Sequence, residues 1–431
     1  MAKDKRLDNF LEGNKVDYGD KKLPAALRPI SGSVEAQDRS YLDKLGWGEA
    51  NDSYRMDKDK LAWHQDRLKE WVHGKEIAPL HIDMGISTTC NLACHFCYGV
   101  PQGRQGFEAL GGKMTFMPLE TIKQVFSDAK TLGVRSIALI GEAENTLNKA
   151  LYPAVEYARE INLDVSLATH GANLKPEHME PLLTSLQWIR INISAATPES
   201  YLKVHQRPWL DRVLEATDLL VKGKKEQGYT NANGRPTTIG YQMVLTDRNF
   251  DQIVPLAKLG REKGIDYTVV KACSDTPDGR IGTPDEEYLE LADVFKEAES
   301  YSTDDYQVII RWDKLGNKGR KEYPVCHGTR FLIAMSGDGT VFPCGHWFAI
   351  ERERFDMGNV NQTSLADIVR SERYWEVQRE IQKVDLRFCE TNCRQHAINK
   401  TLDGIMSQSD PGSYVDGLET SSDEPQHVNF I

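Results

Sequence analysis

A chain of 431 residues with 53 basic and 64 acidic side chains and a formal net charge of −11 has room for two or three domains, or one large barrel with additions. It is too acidic for a dedicated nucleic-acid binder, and its charge suits an enzyme with a neutral or cationic substrate. No apolar run approaches the ~18–20 residues of a membrane span, and the opening residues, MAKDKRLDNFLEGNKVDYGDKK, contain no signal-peptide core. A cytoplasmic enzyme with no membrane and no nucleic-acid partner is therefore expected, and its eight cysteines point to ligands or catalysts more than to disulfides.

Residues 1–60 are polar and weakly periodic, as an extended arm would be. KLAWHQDRLKEWVHG then predicts a helix with Leu61, Leu68, Trp71 and Val72 on one face and Gly74 as its stop. Residues 1–80 together form an N-terminal extension. From residue 81 strand and helix alternate. The strands are HIDMGIS (81–87), RSIALIG (135–141), DVSLAT (164–169), WIRINIS (188–194), TTIGYQMVL (237–245) and DYTVVKA (266–272). One helix opens at Pro118 and stops at Gly133; others lie near 147–161, 176–186, 211–227 and 249–264. Six βα repeats over 81–275 imply an α/β fold with a parallel sheet and outer helices, either an open sheet or a partial (β/α)6 TIM barrel. In both, chemistry collects at the carboxyl ends of the strands. Residues 276–320 read as a linker, 321–400 as a small unit with four cysteines, and 401–431 as a polar tail that docks by the apolar residues of HVNFI.

The first strand is followed by CNLACHFCYG, in which Cys90, Cys94 and Cys97 are spaced C-x3-C-x2-C with no fourth cysteine nearby. Three thiolates can hold three irons of a [4Fe–4S] cube and leave the fourth iron open. A zinc completed by His95 is the plainer alternative. Here the sequence resembles the radical S-adenosylmethionine (SAM) superfamily, whose signature is this spacing with an aromatic residue, here Phe96, before the last cysteine. The resemblance covers about residues 81–275. It implies that SAM chelates the open iron, that its reductive cleavage gives a 5′-deoxyadenosyl radical, and that this radical abstracts hydrogen from substrate. Such chemistry belongs to the cofactor. An external flavodoxin or ferredoxin would supply electrons.

The same resemblance extends to other strand ends. GEAENTL (141–147) looks like the family's Gly-Gly-Glu segment, which makes Glu144 the carboxylate for the SAM ammonium and Glu142 the runner-up; Ala143 stands where glycine is usual and Asn145 where proline is. ATHGANL (168–174), with Thr169, resembles the family's Thr-Asn-Gly. Asn192 and Ser194 end the fourth strand on one face, and the resemblance places Ser194 at the SAM ribose or methionyl part. A solvated loop carboxylate and a strand-end serine are the bland readings; His170 could point into the cavity or lie on the polar surface.

Cys326, Cys344, Cys389 and Cys393 fall in the C-terminal unit, where CHGTRFLIAMSGDGTVFPCG predicts a hairpin turning at Ser336–Gly339. Four thiolates saturate a second [4Fe–4S] cube, or hold a structural zinc. The FPC after a glycine turn, the GNV that follows and the cysteine count resemble the twitch domain, the shortened relative of the SPASM domain. The spacings are similar to those of 2-deoxy-scyllo-inosamine dehydrogenase and related enzymes that modify aminoglycoside sugars.

The eighth cysteine, Cys273, alternates with Lys271 and Val269 to one face of the sixth strand. Its thiol could return a hydrogen atom to a substrate radical, or be a small buried side chain. Lys271 could take or hold a proton, make an ion pair, or contact a phosphate. Three functions follow in order: oxidation of a sugar or cyclitol carbinol to a ketone with the second cluster as electron acceptor; epimerisation with Cys273 as hydrogen donor; peptide modification. A non-catalytic zinc or electron-carrier protein would leave GEAENTL and the strand ends unexplained.

Overall fold

The computed structural model describes residues 54, 60–97, 114–275, 279, 281–284, 287–316, 320–420 and 424–431; most of the expected N-terminal arm lies outside these. All six expected strands form: β1 (His81–Met84), β2 (Ser136–Leu139), β3 (Asp164–Thr169), β4 (Leu186–Asn192), β5 (Thr238–Leu245) and β6 (Tyr267–Ala272). They pair in sequence order, all parallel. The result is an α/β fold built on a partial TIM-type barrel.

Four findings differ from the sequence reading. The stretch expected to be a linker contains β7 (Gln307–Ile310), which adds to β6 as a seventh parallel strand, and a helix over Ala292–Glu299. The apolar run of β7 is only three residues long, Val308–Ile310, too short to stand out by periodicity. The C-terminal hairpin, β8 (Leu332–Met335) and β9 (Val341–Phe342), is not set apart: β8 lies parallel to β1 in the same nine-stranded sheet. A helix over Pro198–His205, capped by Thr197, is a further element absent from the sequence reading, and the stretch expected to be a tail carries a helix over Pro411–Asp416.

Side chains alternate between an outer core and the barrel lumen, as period two requires. Ile189, Ile191, Val270, Ala272, Val308 and Ile310 join the core beneath the helices. Trp188, Val269 and Ile309 belong to small separate clusters inside the barrel, so Arg190, Lys271 and Arg311 share the lumen side.

The helix over Gln65–Val72 buries Leu68 against Phe331, Leu402 and Ile405, with Trp71 and Val72 packed alongside. The last residues dock as expected, at the end of the barrel opposite the strands' carboxyl ends. Phe430 packs on Trp188 and Ala138, Asn429 donates to Asp164 at 2.7 Å, and Lys60 donates to the carbonyls of Gln426 and His427. No helix among the described residues is long and apolar enough to cross a membrane.

Candidate active site

The cysteine loop leaves β1 and is held from two sides. The backbone N–H groups of Ala93 and His95 donate to the carbonyls of His205 and Val204. Asn91 Oδ1 accepts from His170 Nε2 at 2.8 Å, a direction fixed because His170 Nδ1 already accepts from the N–H of Ala172. His170 is thus buried and structural, not surface. His95 has both ring nitrogens engaged, Nδ1 with the Val204 carbonyl and Nε2 with Thr246 Oγ1, each at 3.2 Å, which leaves it poorly placed as a metal ligand.

Burial, the Glu144 carboxylate and Cys97 push the Cys90 thiol up to about 12. Burial and the other two sulfurs likewise raise Cys94 well above the ordinary thiol range. Three thiols that repel one another as thiolates, beside a carboxylate, are a donor set suited to a cationic metal centre, which would deprotonate them. Among the described residues no group of three or more His, Cys, Asp or Glu closes around a single ion.

His205 was not foreseen. Its Nδ1 lies 3.0 Å from Cys94 Sγ, and its Nε2 accepts from the N–H of Ser194 at 3.0 Å. The ring proton is therefore on Nδ1 and points at the sulfur. Burial, then His170 and His95, lowers His205 to about 3, so the ring stays neutral. The signal in the sequence was the helix of His205 itself: Thr197 then Pro198 opens it, and His205 falls one turn after Tyr201, on which it stacks.

Glu144 lies beside the cysteine loop, with its N–H on the Thr89 carbonyl. Its Oε1 accepts from the N–H and hydroxyl of Thr146 and from Thr169 Oγ1, while Oε2 accepts from the N–H of His170 at 3.0 Å. Burial opposes the charge, but His170 and the hydrogen bonds outweigh it and lower its pKa. Oε1 is saturated, and Oε2 keeps a lone pair. Glu142 instead turns to the hairpin: its Oε1 accepts from Ser336 Oγ and the N–H of Gly337. Its Oε2 is buried without a hydrogen bond among the described residues, and burial raises its pKa. Asn145, standing where proline was expected, accepts from the N–H of Ile86 at 2.9 Å and so stitches β1 to this loop.

Thr169 touches Glu144 rather than the lumen. Ser194 is fully buried, and its Oγ accepts from the N–H of Val244 and donates to Asn192 Oδ1; only Asn192 of the pair is partly exposed. Phe96 packs with Val204, Val244 and Cys273. The Cys273 thiol is buried there, 3.9 Å from the Phe96 carbonyl and 3.4 Å from that of Ser274. Lys271 reaches the lumen one layer deeper.

The other four cysteines converge from distant parts of the chain. Burial comes first among the causes that raise Cys326, to about 12, and Cys344, Cys389 and Cys393; the first three also repel other members of the set, while Lys321 partly relieves Cys389 and Cys393. Asn399 Nδ2 approaches Cys326 Sγ at 3.5 Å, and the N–H of Gln395 donates to Cys393 Sγ at 3.3 Å. The end of β6 is sewn to the Cys389–Cys393 loop: Ser274 Oγ donates to the Asn392 carbonyl, Asn392 Nδ2 to the Cys273 carbonyl, and the N–H of Thr391 to the Asp275 carbonyl, all within 2.9 Å.

With this geometry in place, comparison with known proteins is informative. Residues 84–237 match the radical SAM superfamily, and residues 326–394 match an iron–sulfur cluster-binding domain, SPASM. A probable GTP 3′,8-cyclase of Thermoplasma volcanium is 29% identical over 193 residues, 44% of this chain and 53% of that protein; the match spans about half the relative's length. The tungsten-containing aldehyde ferredoxin oxidoreductase cofactor-modifying protein of Pyrococcus furiosus is 22% identical over 312 residues, 68% of this chain and 82% of its own. Streptococcus suis SuiB bound to S-adenosylmethionine superposes with a TM-score of 0.54 at 15% identity, over 78% of this chain and 76% of SuiB, a likeness of fold. The cofactors of the two matched domains are [4Fe–4S] clusters and S-adenosylmethionine.

Proposed function

From a chain that carries a radical SAM domain followed by a SPASM-type iron–sulfur domain, we propose an enzyme that oxidises a hydroxyl-bearing carbon of a sugar or cyclitol to a ketone. Cys90, Cys94 and Cys97 hold the cluster that binds SAM, and Cys326, Cys344, Cys389 and Cys393 hold the second one. Bound there, these groups supply a 5′-deoxyadenosyl radical and an acceptor for one electron. A flavodoxin or ferredoxin is the external reductant.

The chain's own residues do the positioning. Phe96 covers the adenine. Glu144 receives the SAM ammonium on Oε2, held in place by Thr169 and Thr146. Asn192 contacts the ribose, with Ser194 fixing its amide from behind. Lys271 meets the substrate from below.

One observation carries oxidation above inversion: the β6 end is bonded directly to the Cys389–Cys393 loop. The carbinol carbon loses a hydrogen atom and the hydroxyl a proton, and the ketone forms when one more electron leaves. A cluster held by Cys326, Cys344, Cys389 and Cys393 would supply the acceptor, and the seam ties part of that set to the end of β6. Inversion would instead need a donor thiol, and Cys273 is covered by Phe96.

The test is anaerobic incubation of the iron-loaded, reduced protein with SAM and a panel of aminosugars, cyclitols, their phosphates, GTP and peptides. A product two mass units lighter than a sugar or cyclitol supports the reading. An unchanged mass with deuterium taken from solvent means inversion, and a cyclised nucleotide or altered peptide means another substrate class; each overturns it. Zinc in place of about eight irons per chain would overturn the chemistry altogether.

A further inference from the structure

The lumen holds a concentration of positive charge that the reaction itself does not call for. Lys271 on β6 feels the charges of Lys314 in the helix after β7, Arg190 on β4, Arg311 at the end of β7 and Arg394 beyond the second cysteine set. Lys271 and Arg311 are brought side by side by the parallel pairing of β6 with β7, which runs through Val270↔Ile310, with the Arg311 N–H donating to the Val270 carbonyl. Arg190 lies over the rings of Trp188 and Tyr267 and donates from Nε to the Tyr267 hydroxyl at 2.9 Å.

Three nearby carboxylates have other hydrogen-bond partners among the described residues, and one of them, Asp83, also attracts the Lys271 charge. Asp83 bonds to His81 at 3.0 Å and pairs with Arg394 at 3.4 Å. Asp164 takes Asn429 and Gln187 at the floor. Glu142 takes the hairpin turn. Lys271 has neither a hydrogen bond nor an ion pair among the described residues, although it is packed deep in the barrel and only partly reached by water. A lysine so placed, among like charges, costs stability unless something negative joins it.

We propose that this lumen binds an anionic group of the substrate, a phosphate or carboxylate, on Lys271, Arg311, Lys314 and Arg190. The anion would lie one layer below the mouth, where Cys273 and Phe96 pack, and so hold the rest of the molecule up toward the cysteine loop. The inference rests on the reading of the lumen as the substrate site. It narrows the substrate to an acidic or phosphorylated one, against the neutral or cationic substrate that the acidic composition suggested. Burial is the first cause, and the neighbouring cations the second, of a Lys271 pKa lowered to about 7, so the Asp83 carboxylate that also acts on it does not offset them. A rival use of the charge is to offset the second cluster, since Lys314 also acts on Cys393.

Binding is measurable without turnover, so this inference and the oxidation stand or fall separately. Inorganic phosphate and, in a parallel arm, acetate are titrated calorimetrically into the iron-loaded protein at pH 6.5, with the second cluster's potential recorded for each variant. Saturable binding of either anion, weakened about tenfold or more by Lys271→Met and by the milder Arg311→Gln, supports the proposal, and the arm that binds more tightly names the group. Absence of saturable binding by both anions, or affinity unchanged in both variants, overturns it. So does a shifted cluster potential with unaltered anion affinity, which would assign the charge to the cluster.

Discussion

Lys271→Met should stabilise the ligand-free protein, and by an amount that depends on pH. Folding carries the lysine from water into a barrel where burial and then Lys314, Arg190, Arg311 and Arg394 disfavour its charge, lowering its pKa from 10.5 to about 7. Below pH 7 the lysine is charged in both states, and the folded state bears the whole cost. Between pH 7 and 10.5 the unfolded chain binds more protons, so wild-type stability rises with pH. Each pKa unit is about 1.4 kcal/mol, which sets an upper bound of ~5 kcal/mol; with water reaching the side chain, ~2 kcal/mol is expected. Methionine keeps most of the volume and removes the charge. Anaerobic thermal unfolding of the iron-loaded variant and wild type, in a buffer without polyvalent anions, should give the variant an apparent Tm a few degrees higher at pH 6.5. The gap should close toward pH 10.5. A variant less stable than wild type at pH 6.5, or a gap that widens with pH, would show that Lys271 already has a counter-charge and would refute the reasoning.

Other perturbations probe the remaining contacts. His205→Phe removes the N–H directed at Cys94 Sγ, so the potential of the SAM-binding cluster should fall in an EPR-monitored redox titration, and His205→Gln, which retains a donor, should recover part of it. Cys273→Ala should leave ketone yield unchanged, since its thiol faces backbone carbonyls; loss of solvent-derived hydrogen from the product would instead make it a donor. Phe430→Ala opens a cavity beside Trp188 and Ala138 and should cost ~3 kcal/mol, read as a lower denaturation midpoint with the iron–sulfur absorption of the native protein unchanged.

The strands and cysteines were legible because each carries a local signature: apolar runs bounded by turn residues, and thiols at fixed spacing. DVSLAT folds over the range read for it, Asp164–Thr169. What was not legible depends on register. Arg190, Lys271, Arg311, Lys314 and Arg394 are unremarkable charged residues one by one; pairing of β6 with β7 sets Lys271 beside Arg311, and the others come within range of Lys271 from elements far apart in the sequence. His205 is separated from Cys94 by 111 positions. QVII reads as nothing until β6 offers it an edge, and HVNFI declared an apolar end without declaring which mouth of the barrel it would close.

The hairpin illustrates why domain boundaries drawn from cysteine sets can mislead. Separate cysteine sets suggested separate bodies, yet β8 pairs with β1 over four residues, and the end of β1 leads directly into the loop of Cys90, Cys94 and Cys97. The join is close at the backbone. A Cβ added to Gly337 would fall 2.1 Å from the Ser87 carbonyl oxygen, and one on Gly85 would fall 2.8 Å from the Gly337 nitrogen, so neither glycine can be replaced without parting the turn from β1. Glu142 then clamps the same turn through Ser336 and Gly337. The two cysteine sets are thus joined twice, by this seam at β1 and by the seam at β6. Their separation is fixed by sheet pairing at β1 and by side-chain and backbone bonds at the end of β6, a rigid spacing that the proposed electron transfer would need.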